Sequence, residues 1–196
     1  MHILFAHGGT SVQALNWRYQ KVSTFGQGTI QQFHKNASAM KCLAAHDFED
    51  LLQCALPVFE GLLPAPHNKI VLNLLFDFAM WHAYAKLHLH TEDTLAFFDK
   101  AMITLSQPVH RFQQKTCTLY HTMELPQEHA VHGCCKGTLA VKQGQAVPVS
   151  QPKCKTLNLT AYKYHTLADY PSTICQYGTT DSYSTQLVSV PCGGIC

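Results

Sequence analysis

Two apolar stripes separated by a few polar residues constrain this chain more than any other feature. Val71, Leu74, Leu75, Phe78, His82, Ala85 and Leu89 recur at three- and four-residue steps, and Leu95, Phe98, Met102, Leu105, Val109 and Phe112 repeat the pattern. Such spacing lines one face of an α-helix, which turns once every ~3.6 residues. Between the stripes, His90-Thr91-Glu92-Asp93 reads as a turn. Thr91 is placed to cap the second helix, and two carboxylates fall in its positive first turn. Stripes joined so briefly predict an antiparallel helical hairpin. Pro108 lies inside the second stripe, where a kink or restart is expected.

The rest of the first half is helical in pattern but weaker. Ser11 to Gln20 reads as a short helix with Ala14, Leu15 and Trp17 as apolar surface, and Gly26 and Gly28 punctuate the chain before Thr29 to His34. Ser38–Leu43 and Asp47–Phe59 form an expected helical pair, with Asp47, Glu49 and Asp50 opening the second member. Pro57 should kink or end that helix, and Leu63-Pro64-Ala65-Pro66 is a break. From Tyr120 to Thr156 the periodicity vanishes, and no acid stands between Glu128 and Asp169. A last amphipathic helix is expected from Thr160 to Gln176, interrupted at Pro171. The resulting fold class is mainly α, organised as a helical domain (1–118), a flexible basic linker (119–158), a C-terminal helix with a Gly-Thr-Thr-Asp segment (159–186) and an unrelated tail (187–196).

Composition bears on chemistry. Only Arg18 and Arg111 among the 14 basic residues are arginine, whereas histidine occurs 13 times and cysteine nine. Histidine and cysteine are the usual zinc ligands. Equally, arginine codons of the CGN type become cysteine or histidine codons by a single transition, so the same composition could be a mutational scar. The best local metal candidate is His129, His132, Cys134 and Cys135, with Cys154. Adjacent cysteines rarely reach one ion, and no Cys-x2-Cys pair exists. No residue is therefore assigned a catalytic, cofactor-binding or metal-binding role, and no cofactor is expected. Cys42 and Cys54 read as small buried hydrophobes, and His82 as a hydrogen-bonded core histidine.

Asp47, Glu49, Asp50, Glu92 and Asp93 are accounted for by helix starts, while Asp169 and Asp181 are too few for two-metal chemistry. A formal charge of +2 on 196 residues does not point to nucleic acid. Lys136, Lys142, Lys153, Lys155 and Lys163 could touch phosphate only weakly. No run approaches the ~20 apolar residues of a membrane span, and the apolar start at Met1–Ala6 is too short for a secretory signal, so an intracellular protein with reduced thiols is expected.

Particular strings carry more information than composition. Ala45-His46-Asp47-Phe48-Glu49-Asp50-Leu51-Leu52-Gln53-Cys54-Ala55, followed by Pro57-Val58-Phe59-Glu60-Gly61-Leu62-Leu63-Pro64, resembles the plavaka-type transposases of basidiomycete fungi, relatives of the KDZ and CACTA groups. Trp81-His82-Ala83 with Ala85-Lys86-Leu87 and His90-Thr91 fits the same pattern. So do Glu124-Leu125-Pro126, Tyr162-Lys163 with His165, Leu167, Asp169 and Tyr170, and the run from Tyr177 to Gln186. The resemblance covers roughly residues 3 to 186.

It implies a truncated piece of a DDE transposase, whose RNase H-like fold uses three acids to hold Mg²⁺ for strand cleavage and joining. The helical hairpin would belong to the insertion that separates the second and third acids, next to a remnant of the RNase H-like fold. The segment with the second acid is expected upstream of Met1. After the Thr-Thr-Asp motif the family continues into a Glu- and His-containing string, but this chain runs into Leu187-Val188-Ser189-Val190-Pro191-Cys192. No catalytic residue carries over to a matching position. Where the family tends to have arginine, this chain has His132, Cys134, Cys135, Cys175 and Gln176. Each change is reachable by one transition, and Val131 and Val147 could likewise be altered alanines.

The implied protein is an inactive transposon relic, nuclear if functional, needing Mg²⁺ only in its intact ancestor. Its implied partners are DNA, through the five lysines Lys136, Lys142, Lys153, Lys155 and Lys163, and a parent transposase chain. The alternatives from the residues themselves are a small helical protein-interaction module and a zinc-binding module.

Overall fold

Helices dominate the computed structural model, which describes residues 1–26, 30, 32–39, 43–126, 128–131 and 151–180. In chain order they are α1 (His2–His7), α2 (Gly9–Lys21), α3 (Ala45–Gln53), α4 (Ala55–Phe59), α5 (His67–Ala85) and α6 (Glu92–Arg111). There follow α7 (128–131), α8 (Tyr162–His165) and α9 (Tyr170–Tyr177). Strand pairing among the described residues is confined to two isolated bridges, Phe25–Ile30 and Met123–Cys154. None of these helices is long and apolar enough to cross a membrane. The chain divides into two units, one of Met1–Leu72 with Arg111–Leu157, the other of Asn73–His110 with Asn158–Cys196.

In the first unit, α1 and α2 meet at Gly8, whose φ of 145° favours glycine. The expected helix at Ser11–Gln20 is present and runs slightly further, burying Val12, Leu15 and Tyr19. The expected single helix from Asp47 to Phe59 is instead two, parted at Cys54. Pro57 explains the break. It has no N–H to offer the carbonyl of Gln53, so α3 ends there, and in the first turn of α4 the missing donor costs nothing. The expected helix at Ser38–Leu43 shows only a 3-10 turn over Ala37–Ala39, and 40–42 lie outside the described residues.

Buried Leu4, Leu15, Ala55, Val58 and Leu62 form its apolar interior, and polar contacts between residues far apart in sequence tie it together. Arg18 Nη1 donates to the carbonyl of Val58 at 2.9 Å and also to that of Glu60, where α4 leaves its last carbonyls unmatched. Tyr19 Oη donates to Leu51 O (2.9 Å), and burial pushes that phenol well above its usual pKa. Ser11 Oγ donates to Leu62 O (3.3 Å). Asn16 and Ser38 exchange two hydrogen bonds of 2.8 and 2.9 Å. The His67 ring lies 3.2 Å from the hydroxyl of fully buried Thr116 and packs edge-on to Tyr120. The described ends of the expected linker are paired to each other. Glu124 N–H donates to Lys153 O (2.9 Å), and Lys155 N–H to Thr122 O (2.8 Å).

The second unit contains the hairpin the stripes predict. Thr91 caps α6: Thr94 N–H donates to Thr91 Oγ1 (3.2 Å), and Thr91 N–H to Thr94 Oγ1 (2.8 Å). Phe98 and Leu105 are fully buried, with Trp81, Ala85, Val109 and Ile174 around them. Trp81 stands 5.8 Å from Phe98 and 5.0 Å, edge-on, from Tyr170. The first stripe stops short of its expected end. Leu89 lies beyond α5 and is 79% exposed, while Trp81 takes the central core position. Thr180 Oγ1 donates to Ala85 O (2.9 Å), satisfying a carbonyl at the end of α5.

Pro108 does not stop α6 but is followed by a π-helical turn at Phe112–Cys117, where the hydrogen-bond ladder widens. Pro171 starts a helix rather than interrupting one. It occupies the first turn of α9, preceded by a 3-10 turn at Thr166–Asp169. The two tryptophans fall in different settings. Trp17 on α2 is exposed under the Lys21 ammonium, and Trp81 on α5 is buried.

Candidate functional site

The acids are dispersed and engaged in local structure. Asp47 accepts the Ala44 N–H at 2.7 Å and so opens α3. Asp50 is buried beside Cys54, and burial followed by the Asp50 charge raises the Cys54 thiol. Glu92 and Asp93 sit exposed in the first turn of α6. Glu124 is buried and holds the Lys155 ammonium at 3.5 Å while accepting the Lys153 N–H at 3.2 Å. Glu128 lies 2.8 Å from the His2 ring. The hydrogen bond from His2 holds this carboxyl below its usual range, burial opposes it, and Leu125 N–H, His2 and Lys155 assist. Asp169 is exposed, and Asp181 lies outside the described residues.

Among the described residues, no three of His, Cys, Asp and Glu converge as metal ligands would. Of the candidate zinc set, His129 is half-buried, and Cys154 is exposed at the bridge to Met123; His132, Cys134 and Cys135 lie outside the described residues. Cys42 also lies outside them, and Cys54 is buried as expected. His82 is half-buried on α5.

The described lysines expected to touch DNA fall in different units. Lys155 is drawn onto Glu124 in the first unit, where Lys153 is exposed beside it; Lys163 is exposed on α8 in the second. Lys136 and Lys142 lie outside the described residues.

One groove among the described residues was not singled out by the sequence. An open groove of about 180 Å³ runs between α5 and α6 on the second unit. Asp77, Met80 and Tyr84 form one wall; Phe97, Lys100, Ala101 and Thr104 form the other. Met80 is 40% exposed and Phe97 55%, so aromatic and thioether surface stands in water at its mouth. Burial raises the Asp77 carboxyl above its usual range. Asp77 and the Lys100 ammonium carry opposite charge on opposite walls and make no ion pair with described residues. Such a groove is too small and open to enclose a reacting small molecule. The signal that could have found it is the composition of α5, which is apolar around most of its circumference. No family model matches this chain, and no curated protein or solved structure matches it either.

Proposed function

We propose that this chain is a catalytically inactive remnant of a DDE-type DNA transposase related to the plavaka group, nuclear if it acts at all. The carrying observation is the set of family-like strings distributed from Ala45 to Gln186, with arginine replaced by residues one transition away. Cys175 and Gln176, two such replacements, are exposed on α9, where arginine would fit without disturbing the core. In this reading α5 and α6 descend from the helical insertion, and a remnant of the RNase H-like fold accompanies them. Any residual DNA contact through Lys153 and Lys163 is weak and sensitive to salt. The test is a nicking assay with purified protein, Mg²⁺ and plasmid DNA. A blank is expected, and Mg²⁺-dependent nicking that co-elutes with the protein overturns the reading.

A second reading, a small helical interaction module, is favoured by the α5–α6 groove, whose exposed Met80 and Phe97 have no catalytic use. Stoichiometric complex formation that is lost in Phe97→Glu supports it. Retention of the complex in that variant counts against it.

A further inference from the structure

We infer that the α5–α6 groove is a self-association surface, in which α5 of one protomer lies against α6 of a second copy across a two-fold axis parallel to the hairpin. This rests on the second reading above and names its partner as the chain itself.

The argument begins with α5. Its inner side packs Trp81 and Ala85 into the core, yet Phe76 and Met80 on other sides remain 52% and 40% exposed. A helix apolar on nearly all sides is normally enclosed on all sides. On α6, Phe97, Ala101 and Thr104 follow one another at helical spacing along the same groove. Two antiparallel helices with such a face complete a four-helix bundle when a second pair packs on them.

Charge then selects the partner. Asp77 lies on the α5 wall and Lys100 on the α6 wall. Trp81 and Phe98, 5.8 Å apart, mark a common level on the two helices. At ~1.5 Å per residue, Asp77 lies roughly 6 Å from that level and Lys100 roughly 3 Å from it, in the same direction because the helices are antiparallel. A two-fold axis parallel to the hairpin keeps levels unchanged and exchanges the walls. Asp77 of each copy then faces Lys100 of the other within a lysine side chain's reach, so the complementary pair forms twice. The partly desolvated Asp77 carboxyl, whose charged form is disfavoured in the single chain, gains a cation in the pair. An unrelated partner would need its own acid and base at matching places, whereas a second copy brings them by symmetry.

The test needs no ligand: molar mass of the full chain by light scattering over a concentration series, with Asp77→Lys, Lys100→Asp and the double variant. Wild type is expected to dimerise. Each single swap sets like charges against each other twice and should weaken dimerisation on the order of tenfold or more. The double swap should restore it. So should an equimolar mixture of the two single variants, because each then supplies the charge the other lacks; that arm holds even if one variant alone is poorly folded. A monomeric wild type overturns the inference, as does a dimer indifferent to the swaps or a double variant that stays monomeric. A monomer that still binds another protein through Phe97 would sink self-association while leaving the interaction-module reading intact.

Discussion

The two units of this protein each bury an apolar core but differ in how many polar contacts tie that core together. In the second, an aromatic and aliphatic cluster around Phe98, Trp81 and Leu105 excludes water, and few polar contacts span long stretches of sequence. In the first, Arg18, Tyr19, Ser11, Asn16 and His67 each reach across more than twenty residues to a hydroxyl or carbonyl. Burying a large apolar side chain contributes about 1.5 to 3 kcal/mol, whereas a net hydrogen bond contributes about 1. The second unit therefore rests chiefly on a few large side chains, whereas the first adds many directional contacts to its buried Leu4, Leu15, Val58 and Leu62.

Substitutions should expose that difference. The largest loss is expected from Phe98→Ala, which empties a fully buried position in the second unit. Unfolding free energy should fall by about 3 to 5 kcal/mol in urea titrations. A loss below about 1 kcal/mol would show that the cluster is not the stability centre. Arg18→Met keeps much of the aliphatic stem but removes the donors to Val58 and Glu60, at an expected cost of about 1.5 to 3 kcal/mol. Arg18→Lys should recover only part of this, because both bonds leave the single nitrogen Nη1 and a lysine ammonium stands one bond closer to its backbone; full recovery would mean that charge alone matters there.

Smaller effects refine the contrast. Thr91→Ala should cost about 1 kcal/mol by removing the cap of α6, while Thr91→Ser should cost much less. Acid should then weaken the first unit through Glu128. Its folded pKa is depressed, chiefly by the His2 hydrogen bond, so its contribution is complete above the ordinary 4.5 and is lost as pH falls through the lower folded value. For so exposed a pair the effect is about 0.5 kcal/mol or less, and Glu128→Gln should remove this part of the pH dependence. An unchanged acid limb in that variant would assign it to other carboxylates.

The same difference decides what could be read from the sequence. The hairpin was legible because Phe98, Leu105 and Val109 repeat at helical spacing and Thr91 stands directly before an acidic turn. The start of α9 was misread, since Pro171 marks a first turn as readily as an interruption. The first unit's contacts left no local trace. Nothing near Arg18 announces Val58, and nothing near Thr122 announces Lys155, because pairing over such separations is set by tertiary packing. The groove was hidden for another reason. Asp77, Lys100 and Thr104 look like ordinary surface residues until α5 and α6 are laid side by side.

The two tryptophans turn this contrast into something visible. Trp17 stands 59% exposed in the first unit, and Trp81 is 4% exposed in the second. Indole emission moves to longer wavelength in water, so the native spectrum is the sum of a red component from α2 and a blue one from α5. Loss of the Trp81 environment shifts the blue component strongly, whereas unfolding around Trp17 scarcely moves the red one. With Trp17→Phe, the remaining fluorescence follows the second unit alone, and iodide quenching of the wild type reports which indole is being uncovered. The chain carries its own optical label on each half.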